Sequence, residues 1–302
     1  MIIGALLILI SATGFAVLPL FALLAYDGGA NTTTLLLLRF TIATVLLFIY
    51  CLIRKETWNL SARQILTLFF MGGILYMLQS LFYLSSIKYM PASLTALLFY
   101  TYPVLVAILS FAVEKEGITK RVMLSIVLTM IGMVLVLGVS GRINTEGALL
   151  AFGAALVYAG YIIIGNRTVA QISPAVTSLL VSLFASISFL IIGLGNRSMA
   201  LPMTSKVWLA VMGVSVFSTV VAILAFFAGL KLIGPTKASL LSTVEPAITT
   251  AGSILLFRQG FTWMQAVGGV IILTGAVLII TIRKERLPSP DANKAFGNHL
   301  LL

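Results

Sequence analysis

Apolar positions along this chain come in long unbroken runs, and polar residues cluster in the short gaps between them. A helix needs about 20 mostly apolar residues to cross a bilayer. Ten segments meet that length: 3–25, 33–53, 65–86, 92–112, 120–139, 147–166, 175–194, 207–229, 236–256 and 263–282. Barrel strands would be about ten residues long and would alternate in polarity, which these runs do not. The pattern therefore predicts an all-α integral membrane protein with ten transmembrane helices. The N-terminus enters apolar sequence without a basic region or a small-residue cleavage site, so a retained first helix is expected. Residues 283–302, with Pro288 and Pro290 and mixed charge, read as a solvated, disordered cytoplasmic tail.

The chain also matches itself at a shift of 143 residues. Ile87-Lys88-Tyr89 falls on Leu230-Lys231-Leu232, and Pro103 falls on Pro246. Gly117-Ile118-Thr119 falls on Gly260-Phe261-Thr262, and Gly132 falls on Gly275. Leucine matches carry little weight in apolar sequence, but one shift satisfies the lysine, proline and glycine positions together. Each copy holds five segments, 3–139 and 147–282. Five is odd, so the second copy is expected to enter the membrane inverted, a recurring design of secondary transporters.

Composition narrows the class. Hydrophobic residues make up 60% of the chain and charged residues 9%, against about 25% charged in soluble domains. The net charge of +11 sits in short loops and the tail, where it reads as a topology signal; nucleic-acid binding is not expected. With the N-terminus in the cytoplasm, inside segments hold 13 of the 19 lysines and arginines and outside loops hold five, with Arg39 intramembrane. The positive-inside rule thus places both termini in the cytoplasm. The chain has one cysteine, Cys51, and one histidine, His299 in the tail. Neither a disulfide framework nor a cysteine-based metal site follows, and no cofactor is expected. The loop-poor build, without organelle signals, fits a bacterial inner membrane.

The order and spacing of several motifs resemble the EamA-like carriers of the drug/metabolite transporter superfamily. They are Leu38-Arg39-Phe40, Tyr83 to Tyr89, Tyr102-Pro103 and Glu116 to Thr119 in the first copy, and Gly229-Leu230-Lys231, Glu245-Pro246 and Gly275 in the second. The resemblance spans roughly residues 3–282 and implies two EamA units and a metabolite or drug exporter. Gln259 departs from it, standing where an acidic residue is expected.

Glu245 is the leading candidate for chemistry. It lies roughly 13 Å into its helix at 1.5 Å per residue, near mid-membrane, where a charge costs about 2.5–3.5 kcal/mol on insertion scales. Such a residue needs a cavity, a partner or a proton. Pro246 follows it and removes a helix hydrogen bond, so Pro103 and Pro246 are both candidate helix breaks. Ser239, Ser242, Glu245, Thr249 and Ser253 recur at helical spacing on one face. The corresponding face of the fourth segment is Ala96, Phe99, Tyr102, Val106 and Ser110. An acid opposite aromatic rings suits a cationic or amphipathic substrate; bonding between helices accounts for the hydroxyls equally well. Arg39 is a second intramembrane charge with three options: snorkelling, pairing with Glu245, or meeting an anionic group. The resemblance favours a structural role for it. Gln79 and Tyr158 are further candidate lining residues, with Tyr76, Tyr83 and Tyr161, although packing or interfacial anchoring is the commoner role of such tyrosines. Ala151, Ala155 and Ala159, and Ser178, Ser182 and Ser186, form small-residue rows suited to close helix packing or to a dimer.

These features point to a secondary carrier for small metabolites such as amino acids, working by alternating access, with small molecules and protons as candidate partners. An ATP-driven pump is disfavoured by the lack of a glycine-rich lysine loop. A membrane-embedded lipid-modifying enzyme is the other class. It needs a His, Cys or acid cluster, and Glu245 has no intramembrane acidic companion. A lipid-linked sugar flippase is a variant within transport. Substrate, direction, coupling ion and the choice between monomer and homodimer are left open.

Overall fold

A computed structural model describes residues 1–115, 117, 119–138, 144–197, 199, 204–257 and 262–281. Glu116, Ile118, Gln259, Gly260 and Phe261, singled out in the sequence, and the tail with His299 lie outside the described residues.

The described residues are predominantly helical: α1 (Ile2–Asp27), α2 (Thr32–Ile53), α3 (Ala62–Ser86), α4 (Ala92–Glu114), α5 (Lys120–Leu137), α6 (Thr145–Gln171), α7 (Pro174–Gly195), α8 (Ser205–Ile233), α9 (Pro235–Ser242), α10 (Glu245–Phe257) and α11 (Trp263–Thr281). Among the described residues, nine of these are long and apolar enough to cross a membrane. The remaining segment, expected as one helix over 236–256, is instead α9 followed by α10, with Thr243 and Val244 between them. Helix starts are fixed by local chemistry. Asn31, Thr119, Asn144, Ser173 and Thr204 each cap a first turn with a side-chain oxygen, and Ser61 and Gln64 form a reciprocal capping box.

The breaks follow from proline. Pro246 has no N–H for the carbonyl of Ser242, the last residue of α9. Pro103 has none for the carbonyl of Phe99, and α4 is interrupted at Tyr100 and Thr101. The two interruptions fall 143 positions apart. α1 is also broken, at Val17 just before Pro19; α6, at the shifted position, runs straight through.

Neighbouring helices pack antiparallel, as the pairs α1·α8, α2·α7, α3·α6 and α5·α11. Small residues set their separation. A Cβ on Gly132 would lie 2.7 Å from the Gly268 carbonyl oxygen, and one on Gly268 would lie 2.7 Å from the Gly132 oxygen. Ser125 Oγ donates to the Gly275 carbonyl at 2.8 Å in the same α5·α11 seam. Across α2·α7 the hydroxyls of Thr41 and Ser186 bond at 2.7 Å. Ala151, Ala155 and Ala159 are fully buried and Ser178 and Ser182 likewise, so both small-residue rows serve packing inside the bundle. The outward faces remain apolar, with Leu255 80% and Ile53 and Leu209 75% exposed. Hydrocarbon is the solvent that such a surface requires.

Candidate functional site

The half-helices decide where space is left. The second half of α4 (Tyr102–Leu109) packs on both α6 and α9. Its first half (Ala92–Phe99) leans on α6, and α10 leans on α1, α5 and α11. Where the first half of α4 and α10 part, a cavity of about 340 Å³ lies between α1, α3, α4, α5, α6, α8 and α10. It occupies the half of the bundle toward the ends of α3 and α5 and the start of α4.

Glu245 lines this cavity at the first turn of α10, and is its only charged lining residue among the described residues. Tyr100, from the interrupted turn of α4, lines the same cavity with its hydroxyl near the carboxylate. Aromatic rings form much of the remaining wall, some backed by a second layer. Tyr158 stacks on Tyr161 at 5.8 Å and meets Tyr102 edge-on at 4.8 Å. Phe99 is tilted against Tyr158 at 5.5 Å and meets Tyr83 edge-on at 5.3 Å. Gln79, Thr249 and Thr250 add polar groups. The Thr249 hydroxyl is engaged, donating to the Ala16 carbonyl at 3.0 Å; that oxygen belongs to the residue before the α1 break.

The predicted residues divide accordingly. Glu245, Phe99, Gln79, Tyr158, Thr249 and Pro246 line the cavity, as do Tyr76, Tyr83 and Tyr161. For those three tyrosines the commoner role of anchor or packing residue gives way to cavity wall. Tyr102, Ser242, Pro103 and Arg39 are not among its lining residues. Tyr102 is 1% exposed and stands behind Phe99 and Tyr158. The Ser239 and Ser242 hydroxyls donate to their own helix, at Thr236 and Ala238. The stripe of hydroxyls is therefore split: the break after Ser242 turns Glu245 and Thr249 to the cavity and leaves the serines in the packing.

Arg39 is 2% exposed. Its Nε donates to Thr219 Oγ1 at 2.6 Å and its Nη2 to the Ser218 carbonyl at 3.0 Å. Both acceptors sit in a π-helical stretch of α8, Val216–Val221; such a stretch shifts the backbone pairing by one residue and here presents a carbonyl sideways. The guanidinium also lies 4.9 Å from the Phe40 ring centroid. It does not snorkel to water; its two hydrogen bonds run to α8 rather than to Glu245 and tie α2 to α8, in keeping with the structural role that the resemblance favours.

Tyr100 was missed by sequence reasoning, as were Phe226, Ile223 and Thr250. Helical spacing across an uninterrupted fourth segment selects Phe99 and Tyr102 and skips Tyr100. The signal was Pro103: a broken turn three residues before it changes which side chain faces inward.

Comparison with known proteins agrees with this architecture. The profile of the EamA-like transporter family matches twice, over residues 2–138 and 145–281. The chain is 26% identical to the uncharacterized transporter YetK of Bacillus subtilis, over 85% of this chain and 80% of that protein. It is 27% identical to the threonine/homoserine exporter RhtA of Escherichia coli, over 89% of this chain and 92% of that one. A solved crystal structure superposes with a TM-score of 0.78 at 18% identity, covering 91% of this chain and 96% of its own, a likeness of fold. With matches covering both halves of its sequence, the chain is a multi-pass membrane protein that belongs to the EamA-like transporter family.

Proposed function

We propose that this protein is a secondary carrier that exports small amphipathic or amine-bearing metabolites, amino acids among them, by alternating access around Glu245. The observation that carries the reading is the carboxylate of Glu245, the only charged group among the described residues that line an aromatic-rich cavity of about 340 Å³. Carriers bind near mid-membrane at broken helices, and α4 and α10 meet the cavity at such breaks. A positively charged amine is attracted both to the carboxylate and to the faces of the rings. A proton on Glu245 competes for the same site, so proton entry and substrate release are coupled by exclusion. The related RhtA is named for threonine and homoserine, which places amino acids first in a substrate panel.

In this reading residues 3–139 and 147–282 are two inverted halves of five spans each, with α9 and α10 together forming the ninth. Repeated contacts support it. Gly4 approaches Gly229 between α1 and α8, and Gly147 approaches Ser86 between α6 and α3; each residue and its counterpart are 143 positions apart. With both termini in the cytoplasm, the cavity belongs to the outward-facing half. The deciding experiment is uptake into inverted vesicles and efflux from right-side-out vesicles, for an amino-acid and amine panel, with and without a proton gradient. Gradient-dependent movement that Glu245→Gln abolishes is the expected result. Undiminished coupled transport by that variant removes Glu245 from the mechanism, and chemical alteration of the added compound points to an enzyme.

A further inference from the structure

A second hollow lies away from the cavity, on the lipid-facing side of the α2·α7 seam. It measures about 330 Å³ and is lined by Thr44, Val45 and Phe48 of α2, by leucines of α7 and by Trp58 of the following turn. Its one lining hydroxyl, Thr44 Oγ1, is already committed to the Phe40 carbonyl at 2.7 Å. Apolar hollows of this kind stay free of water. In a bilayer the matter that reaches an apolar groove facing outward is hydrocarbon; Val45 and Phe48, 53% and 48% exposed, form its open side.

The end of the groove is charged. α2 stops at Ile53, and Arg54 and Lys55 follow. Phe48 is six residues before Arg54, about 9 Å at 1.5 Å per residue. That is a suitable offset between an acyl chain and its phosphate. The turn is ordered by its own bonds: Arg54 N–H donates to Tyr50 at 2.9 Å, Lys55 N–H to Leu52 at 3.1 Å and Glu56 N–H to Cys51 at 3.0 Å. Lys55 is held at φ 52°, a conformation uncommon for a residue with a side chain. Trp58 packs against Phe48 with ring centroids 5.9 Å apart, the position of an interfacial tryptophan. Arg63 opens α3 within a turn of its capped start. Arg54, Lys55 and Arg63 are all exposed, against one acid, Glu56.

We propose that this groove and its basic rim are a binding site for one anionic phospholipid, its acyl chain along Val45, Phe48 and Leu180 and its phosphate beside Arg54, Lys55 and Arg63. The charge complementarity is specific to that rim; the groove alone would take any chain. The site is independent of the transport reading and stands or falls separately.

Native mass spectrometry of the purified, full-length protein, loaded with phosphatidylglycerol or phosphatidylcholine of the same chains, tests it. Phosphatidylglycerol is expected to be retained on the order of tenfold more strongly, the scale set by a few basic residues near an anionic headgroup. R54Q/K55Q/R63Q should erase that preference and leave phosphatidylcholine retention unchanged. Val45→Trp, which fills the groove, should lower retention of both lipids. Glu56→Gln, which removes the opposing charge without disturbing an apolar contact, should strengthen phosphatidylglycerol retention severalfold. Glycerol phosphate, lacking the chains, should not compete. Equal retention of the two lipids by the parent protein, or a preference that survives the triple substitution in folded protein, overturns the proposal.

Discussion

The Ser86 hydroxyl donates a 2.8 Å hydrogen bond to the Gly147 carbonyl, joining the end of α3 to the start of α6. At positions 143 residues away from these two, Gly229 and Gly4 make the matching approach: a Cβ on Gly229 would stand 2.9 Å from the Gly4 oxygen. One seam is closed by a hydroxyl and the other by bare backbone. In a bilayer, apolar side chains gain little by leaving lipid, so such close contacts and their hydrogen bonds carry helix association.

The two seams should therefore respond differently to substitution. Ser86→Ala removes two interhelical bonds, to the Gly147 carbonyl and, at 3.0 Å, to the Thr95 hydroxyl of α4, and is expected to cost about 0.6 kcal/mol for each, the average for such bonds in membranes. Gly229→Leu has no room beside the Gly4 oxygen and Ile8, whose atoms lie within 2.9 Å of the added Cβ. It should lower thermal stability in detergent by considerably more. Equal melting temperatures for the two variants would contradict the packing described.

At the α5·α11 seam, Gly132→Leu and Gly268→Leu are each expected to be strongly destabilising. Because each glycine faces the carbonyl of the other, the double variant should cost less than the sum of the singles. The coupling is expected to be about 0.5–3 kcal/mol, the range for residues in contact. Additive losses in a thermal double-mutant cycle would mean that the seam is not shared.

For the cavity, Tyr100→Phe keeps the ring and removes the hydroxyl near Glu245, the group best placed to hydrogen-bond the carboxylate. Loss of a hydrogen bond to a charged group is worth about 1.5–3 kcal/mol. Transport in reconstituted vesicles should fall roughly tenfold or more, with the protein still folded. Tyr102→Phe, one layer behind the wall, should have the smaller effect. The reverse order would mean that the Tyr100 hydroxyl is not directed into the working site.

Arg39 and Glu245 should separate in their phenotypes. Arg39→Gln loses two bonds to α8 and is expected to reduce yield and melting temperature. Glu245→Gln should leave both close to the parent and remove coupled transport. An Arg39→Gln protein of undiminished stability would refute the brace between α2 and α8.

The sequence alone determined the class of this protein. Apolar runs of bilayer length can be nothing but membrane spans when charge is this scarce, and their spacing, the 143-residue shift and the loop lysines and arginines are all one-dimensional signals. It also singled out Glu245 and Pro246, because an acid and a proline are conspicuous in apolar sequence. Only the tertiary structure decided which residues share a cavity. Pro103 and Pro246 leave the carbonyls of Phe99 and Ser242 without their helix partners, and each chain turns at the gap. From that turn onward helical spacing no longer predicts which side faces inward. So Tyr100 joins Glu245 while Ser242 and Tyr102 stay in the packing, and Arg39 is set by a π-helical carbonyl 179 residues distant. A periodic pattern places residues on a face; the position of that face relative to its neighbours is fixed by backbone breaks and by contacts between helices far apart in the chain.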